Sequence, residues 1–203
     1  MERTGDLTKK QQQAYQTRKK LLDAGSEMFL IHGFQKCTMT QIIKKAQVGY
    51  GTAYVYFPNK DTLFAELIDH IVVEMKEVAN IPFQPTSTDE AIDQIYHQTL
   101  NFLTAGLSKK KVFLVIEEAI GLSPIVHQKW QNVRDEFTQS IERDIRFVQE
   151  QGLAKKEIIP AIIAKSWFHM NEQMLWELIK NEDFDVSEIA RNITTLYTKG
   201  LYY

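Results

Sequence analysis

Four hydroxyl-bearing side chains, Tyr50, Thr52, Tyr54 and Tyr56, recur at every second position of the stretch GYGTAYVYFPNK (residues 49–60). Hydroxyls donate to phosphate oxygens, and threonine also offers a methyl group to thymine or an oxygen to a base edge. Gly51 has no side chain to hold its backbone away from a phosphate. Lys60 falls at the start of a helix, where its charge and the unpaired N–H groups both favour an anion; Thr38 and Thr40 open an earlier helix in the same way. Thr38, Thr40, Tyr50, Gly51, Thr52, Tyr54, Tyr56 and Lys60 are therefore the candidates for contact with double-stranded DNA.

A second grouping has metal-ligand types. His169 and Glu172 stand three apart, and Glu117 and Glu118 interrupt an apolar run. A di-metal carboxylate site in a helical bundle needs Glu-x-x-His on each of two helices. This chain has His-x-x-Glu once, so a solvated or hydrogen-bonded histidine is expected and no metal. No Gly-rich phosphate loop or activated-nucleophile pattern is present, and the expectation is a non-enzyme without a cofactor. The single cysteine, Cys37, excludes an intramolecular disulfide. Beside Thr38 it reads as packing rather than as a redox switch.

Positioning the hydroxyls requires two short helices. Thr38 is an N-cap residue type, and Met39, Ile42, Ile43 and Ala46 follow with the spacing of one apolar helical stripe. Val48 to Gly51 interrupts the period, Thr52 to Phe57 resumes it, and Pro58 stops it because proline has no N–H to donate. Two short helices about a glycine-containing turn form a helix-turn-helix, whose second helix can enter the major groove. The pattern Thr38-x3-Ile42-x3-Ala46-x-Val48, then Gly51-Thr52-x-Tyr54-x-Tyr56-Phe57-x2-Lys60-x2-Leu63, resembles the DNA-binding domain of TetR-family transcriptional regulators over residues 17–67. The resemblance implies that the eight candidates face DNA, while Val48, Ala53 and Phe57 fill the core beneath them. Two departures stand out: Gly49-Tyr50 replaces a common Ser-Lys, and Ala53 replaces a larger apolar residue.

Charge agrees with that placement. Residues 1–60 hold ten Lys/Arg against four Asp/Glu, and the remainder holds fourteen against twenty-two, so only the first third is suited to a polyanion. No stretch approaches the ~18 apolar residues of a membrane span and the N-terminus lacks a signal-peptide core, so a cytoplasmic protein without a membrane partner is expected.

Helical periodicity predicts an all-α chain of about nine helices: a three-helix N-terminal helix-turn-helix head and a larger C-terminal helical bundle for ligand binding and dimerisation. The reading divides it into arm and head (1–60), a connecting helix (61–80) and the body (81–203). Residues 1–14 read as a mobile arm or frayed helix start, Tyr15 to His32 as the first helix with Gly33 ending it, and Ile81 to Asp89 as a loop. VFLVIEEAIGL reads as a helix buried all round through the middle of the body. Helices at Pro124–Gly152, Ile158–Lys180 and Val186–Leu201 complete the chain.

By the resemblance, the middle helices enclose a small-molecule effector site and the last helices form a homodimer. The ligand candidates are Tyr96, Phe102, Phe113, Glu117, Trp130, Phe137, His169 and Glu172; those for the dimer are Trp176, Ile189, Ile193, Leu196 and Tyr197. The implied function is a repressor released from an inverted-repeat operator by its effector. The alternative is a DNA-dependent adaptor whose body binds another protein.

Overall fold

The structure, a computed structural model, describes residues 8–79, 82–181 and 184–202, without the side chains of 74 and 77–79. Among these residues it has nine helices: α1 (Lys9–Lys36), α2 (Met39–Ala46), α3 (Tyr50–Tyr56), α4 (Lys60–Ala79), α5 (Thr88–Ser108), α6 (Lys110–Leu122), α7 (Pro124–Glu150), α8 (Pro160–Lys180) and α9 (Val186–Leu201). No helix among the described residues is long and apolar enough to cross a membrane.

Local chemistry accounts for most boundaries. Thr38 and Gln41 form a capping box at α2: the Thr38 hydroxyl accepts from Gln41 N (3.3 Å), and the Gln41 side chain accepts from Thr38 N (2.8 Å). Ser87 caps α5, Asp185 caps α9, and Pro160 occupies the first turn of α8. The first helix starts six residues earlier than expected because Thr8 and Gln11 build a second capping box. Thr8 is thus the cap and residues 9–14 are helix, not arm or frayed start, and residues 1–7 lie outside the described residues.

The helix-turn-helix corner uses an unexpected residue. Gln47, not a glycine, takes the left-handed conformation (φ 53°) and returns its N–H to the carbonyls of Ile43 and Lys44. Gly49 is extended (φ −65°) and Gly51 lies inside α3.

The chain divides into two compact units, one of residues up to His70 together with Val115–Lys129, the other of Ile71–Leu114 with Trp130 onward. In the first unit, Phe29, Phe34 and Phe64 pack ring to ring with centroids 4.6–5.8 Å apart. Leu21, Ile42, Ile43, Ala53, Leu63 and Ile68 are all at most 1% exposed. Burying each large side chain contributes about 1.5–3 kcal/mol. Gly25 permits α1 and α4 to approach, since a Cβ there would lie 2.4 Å from Leu63 Cδ2.

Gly33 breaks α1 with φ 73° and ψ 174°, a backbone state that L side chains rarely adopt. The turn after it is clamped on both of its polar edges. Glu118 accepts the N–H groups of Phe34 (2.8 Å) and Gln35 (3.1 Å). Lys60 Nζ donates to the carbonyls of Phe34 (2.6 Å), Gln35 (3.0 Å) and Cys37 (2.9 Å). The helix α6 is therefore not the all-round buried rod expected from VFLVIEEAIGL. Leu114 and Leu122 are exposed, and the segment Val115–Lys129, which carries Glu118, groups with the first unit.

In the second unit α9 packs along α5, and α8 packs against both. Phe113, Trp130 and Trp176 form a ring cluster (centroids 5.5–6.2 Å), and Trp167 stacks on Tyr197 at 4.1 Å. An isolated bridge, Ala154 to Tyr202, ties the end of α9 to the turn after α7.

Candidate nucleic-acid interface and effector cavity

In the first unit, α3 turns Ala53 and Phe57 inward (0% and 2% exposed), which directs the intervening positions outward. Tyr50 (55%), Tyr54 (46%) and Val55 (81%) are exposed, as are Gly51 and Thr52; Tyr56 and Val48 are half-buried. A Cβ at Gly51 would meet nothing within 4 Å, so the backbone there is open to close approach. Thr40 is exposed at the first turn of α2.

Two sequence candidates have their polar groups occupied. The Thr38 hydroxyl donates to Gln41 Oε1 (2.9 Å) while accepting from Gln41 N, so it serves α2 as a cap. Lys60, expected at a phosphate, places its ammonium on three carbonyls and 4.6 Å above the Phe34 ring. An ammonium has three protons. Lys60 therefore closes the end of α1, with its three ammonium protons engaged in this structure. Val55 is the exposed residue the sequence reading passed over. Its signal was present: with Ala53 and Phe57 on the inner face, position 55 falls on the opposite side of a 3.6-residue helix.

Cys37 is buried, and burial pushes its thiol up to about 11, against a smaller opposing effect of Lys60. The thiol is protonated and unreactive at neutral pH.

The second unit contains a cavity of about 380 Å³, lined by α5, α7 and α8 and the end of α4. Of the expected ligand residues it brings together Phe102 and Phe137, and adds Trp167, Phe168, Asn171 and Asp144. Phe137 stacks on Phe168 (5.5 Å) and meets Phe102 edge-on (6.2 Å).

The remaining candidates lie elsewhere. Phe113 and Trp130 belong to the ring cluster around Trp176. Glu172 (5% exposed) is tied up beside them: it accepts from Trp130 Nε1 (2.7 Å) and twice from Arg134 Nε (2.9 Å each). His169 Nδ1 lies 3.3 Å from Glu172 Oε2, so His-x-x-Glu forms part of this network. Tyr96 borders a separate shallow depression with Asp93 and Arg191. Glu117 is half-buried on the α6 segment of the first unit. No cluster of metal-ligand side chains occurs among the described residues.

Two of the dimer candidates are likewise internal. Trp176 and Ile193 are each 8% exposed and close the unit's own core against the ring cluster and α5. Leu196 is 68% exposed, and Ile189 and Tyr197 are half-buried.

Asp144 is half-buried, and burial pushes its carboxyl up to about 6, with Arg143 pulling the other way. A raised folded-state value means that its contribution to stability is complete below the unfolded value of about 4 and is lost as pH rises through 6. Asp144→Asn should therefore melt above the wild type at pH 7.5, by roughly 2–4 °C, with the difference closing between pH 6 and pH 4. A gap that stays constant with pH would mean that the carboxylate is not destabilised in the folded chain.

The family profile described as "Bacterial regulatory proteins, tetR family" matches residues 21–67. YhgD of Bacillus subtilis (strain 168), an uncharacterized HTH-type transcriptional regulator, is 40% identical over 191 residues, covering 91% of this chain and 96% of that protein. Among solved structures, SmeT in complex with triclosan matches with a TM-score of 0.72 at 17% identity, covering 92% of each chain. The flavonoid-responsive regulator FrrA matches at 0.73 and 17% identity, covering 93% of this chain and 98% of its own. These two likenesses establish a shared fold. With the profile on its helix-turn-helix and 40% identity to an HTH-type regulator along nearly its whole length, the chain belongs to the TetR family of transcriptional regulators.

Proposed function

We propose that the chain is a homodimeric, cytoplasmic repressor that reads an inverted-repeat operator through α3 and releases it when a small molecule occupies the cavity. The observation that carries the DNA half is the outer face of α3, whose hydroxyls and methyls are exposed on a head clamped by Lys60 and Glu118. Thr40, Tyr50, Gly51, Thr52, Tyr54 and Tyr56, with Val55 added, form the proposed surface. The aromatic cavity favours a small effector over the adaptor reading. SmeT, which shares the fold, was solved with triclosan, and FrrA is flavonoid-responsive. For release, the effector must bind the DNA-incompetent arrangement more tightly than the competent one. The dimer face is proposed from the exposed apolar side chains of α8 and α9 and their approaches, Ile162 and Leu196 together with Ile159 and Phe184.

The composition of α3 narrows the mode of reading. YGTAYVY contains no Arg, Lys, Asn or Gln, the side chains that pair bidentately with guanine or adenine. Direct readout by α3 then falls to Thr52, the tyrosine hydroxyls and the Val55 methyls, and the last of these fit the thymine 5-methyl group.

Selection from a random duplex pool at ~150 mM salt tests the proposal. An inverted repeat with thymines in each half-site is the expected outcome. Replacing those thymines with deoxyuridine, which removes only the methyl, should weaken binding by roughly 5-fold or more per half-site. Failure to enrich any sequence, or a monomer in solution, would overturn the dimeric-reader proposal. An operator indifferent to deoxyuridine would overturn methyl reading alone.

A further inference from the structure

The walls of the second unit's cavity and its charged groups point to opposite demands on a ligand. Phe102, Phe137, Trp167 and Phe168 present aromatic surface, which suits a planar apolar body. Aromatic faces carry negative electrostatic potential and attract cations. One cation already uses this property: the Lys76 ammonium stands 5.8 Å from the centroid of Phe137.

The charges divide unequally between rim and interior. Lys76 pairs with Glu136, so neither is left for a ligand at no cost. Arg143 also lines the cavity, but it is exposed to solvent and its pull on the Asp144 carboxyl is smaller than the opposing effect of burial. Asp144 is half-buried and lines the cavity; among the described residues no hydrogen bond or ion pair engages its carboxylate, and the groups that feel its charge are Arg143 and the Tyr197 and Tyr202 phenols. A carboxylate withdrawn from water without a partner is destabilising, and a ligand that neutralises it removes that penalty. The neighbouring polar groups, Thr99 and Asn171, are uncharged, and the Asn171 amide nitrogen donates to Trp167 O at 2.9 Å.

We propose that this cavity takes an aromatic cation, with Asp144 as its counter-charge and the four rings as its walls. The inference rests on the reading of the cavity as the effector site and names the chemistry of the effector. A planar amine or quaternary ammonium satisfies both demands, because its rings fill the apolar space and its charge meets the one unpaired carboxylate. An anionic ligand of the same shape would meet Asp144 with like charge in a partly desolvated setting.

Three probes of one shape separate the possibilities: N-methylacridinium, its neutral isostere 9-methylanthracene, and anthracene-9-carboxylate. Binding to the full-length protein is followed by probe fluorescence and by quenching of tryptophan emission. The cation should bind at least roughly 10-fold more tightly than the anion. Asp144→Asn should erase most of that preference while leaving the neutral probe within about twofold, and Asp144→Glu should keep it. Thermal melting of both variants confirms folding.

An anion that binds as well as the cation, or a preference unchanged in Asp144→Asn, overturns the proposal. Binding of the neutral probe without the cation leaves the effector cavity standing and removes only its cationic ligand. If none of the three probes binds, the effector reading of the cavity falls with it.

Discussion

Replacing Glu172 with alanine is expected to remove about 3 kcal/mol or more of stability, the largest effect of any single polar substitution in the second unit. Glu172 is 5% exposed and serves three donors: Trp130 Nε1, the Arg134 guanidinium and His169 Nδ1. Its removal leaves the Arg134 charge without a partner at a side chain only 23% exposed, and leaves a buried indole N–H unpaired. The unpaired groups, rather than the lost attraction, set the magnitude. Glu172→Gln keeps an acceptor for Trp130 and should cost less, about 1–2 kcal/mol. Pairing Glu172→Leu with Arg134→Leu should recover much of the loss, because removing both charges together leaves nothing stranded. Urea unfolding at fixed protein concentration, followed by Trp130 and Trp176 fluorescence, reads all three variants. A loss below about 1 kcal/mol for the alanine variant would mean that the network is ornamental and would return Glu172 to the list of ligand candidates.

The helix-turn-helix was legible because its determinants lie within a few residues of one another. The Thr38 cap, the stripe of Met39, Ile42, Ile43 and Ala46, and Pro58 all act over one or two helical turns. The body's site was not, because an interrupted apolar run looks the same whether its polar residue is a ligand group or a network member. Glu172 belongs to a network because Trp130 and Arg134 reach it from α7, about forty positions earlier. Asp144, between Arg143 and Arg146, resembles a solvated charged face. Yet it stands seven after Phe137 and four before Val148, on the apolar side of α7, and that spacing was the available signal. Apolar faces also state that they are covered without stating by what. Trp176 and Ile193 fit a dimer interface as well as they fit their own core, and only the positions of Phe113, Trp130 and α5 decide between the two. Gln47 in a left-handed conformation escaped notice because Gly49 and Gly51 offered cheaper residues for the turn two and four positions later.

Lys60→Ala and Tyr54→Ala should produce opposite signatures, and the contrast separates the residues that build the head from those proposed to touch DNA. Lys60 donates to three carbonyls at the end of α1, whose N–H groups are held by Glu118. Its loss should destabilise the first unit by about 2–3 kcal/mol, less than three full charged hydrogen bonds because the Gln35 carbonyl can rehydrate. Hydrogen exchange should accelerate through residues 33–63, while the dependence of log K on log salt keeps its slope, since no phosphate contact is removed. Were Lys60 a phosphate ligand, the slope would fall by about 1 per head with stability nearly unchanged. Tyr54, 46% exposed, should cost under about 1 kcal/mol of stability as alanine. Its operator affinity should fall by about 1–3 kcal/mol per head, and two heads on one inverted repeat double that penalty. Both variants losing affinity through the salt slope would place Lys60 on DNA after all, with the carbonyl clamp released when the operator binds. A stable Lys60→Ala protein with unaltered exchange would show that Glu118 alone holds the turn behind Gly33.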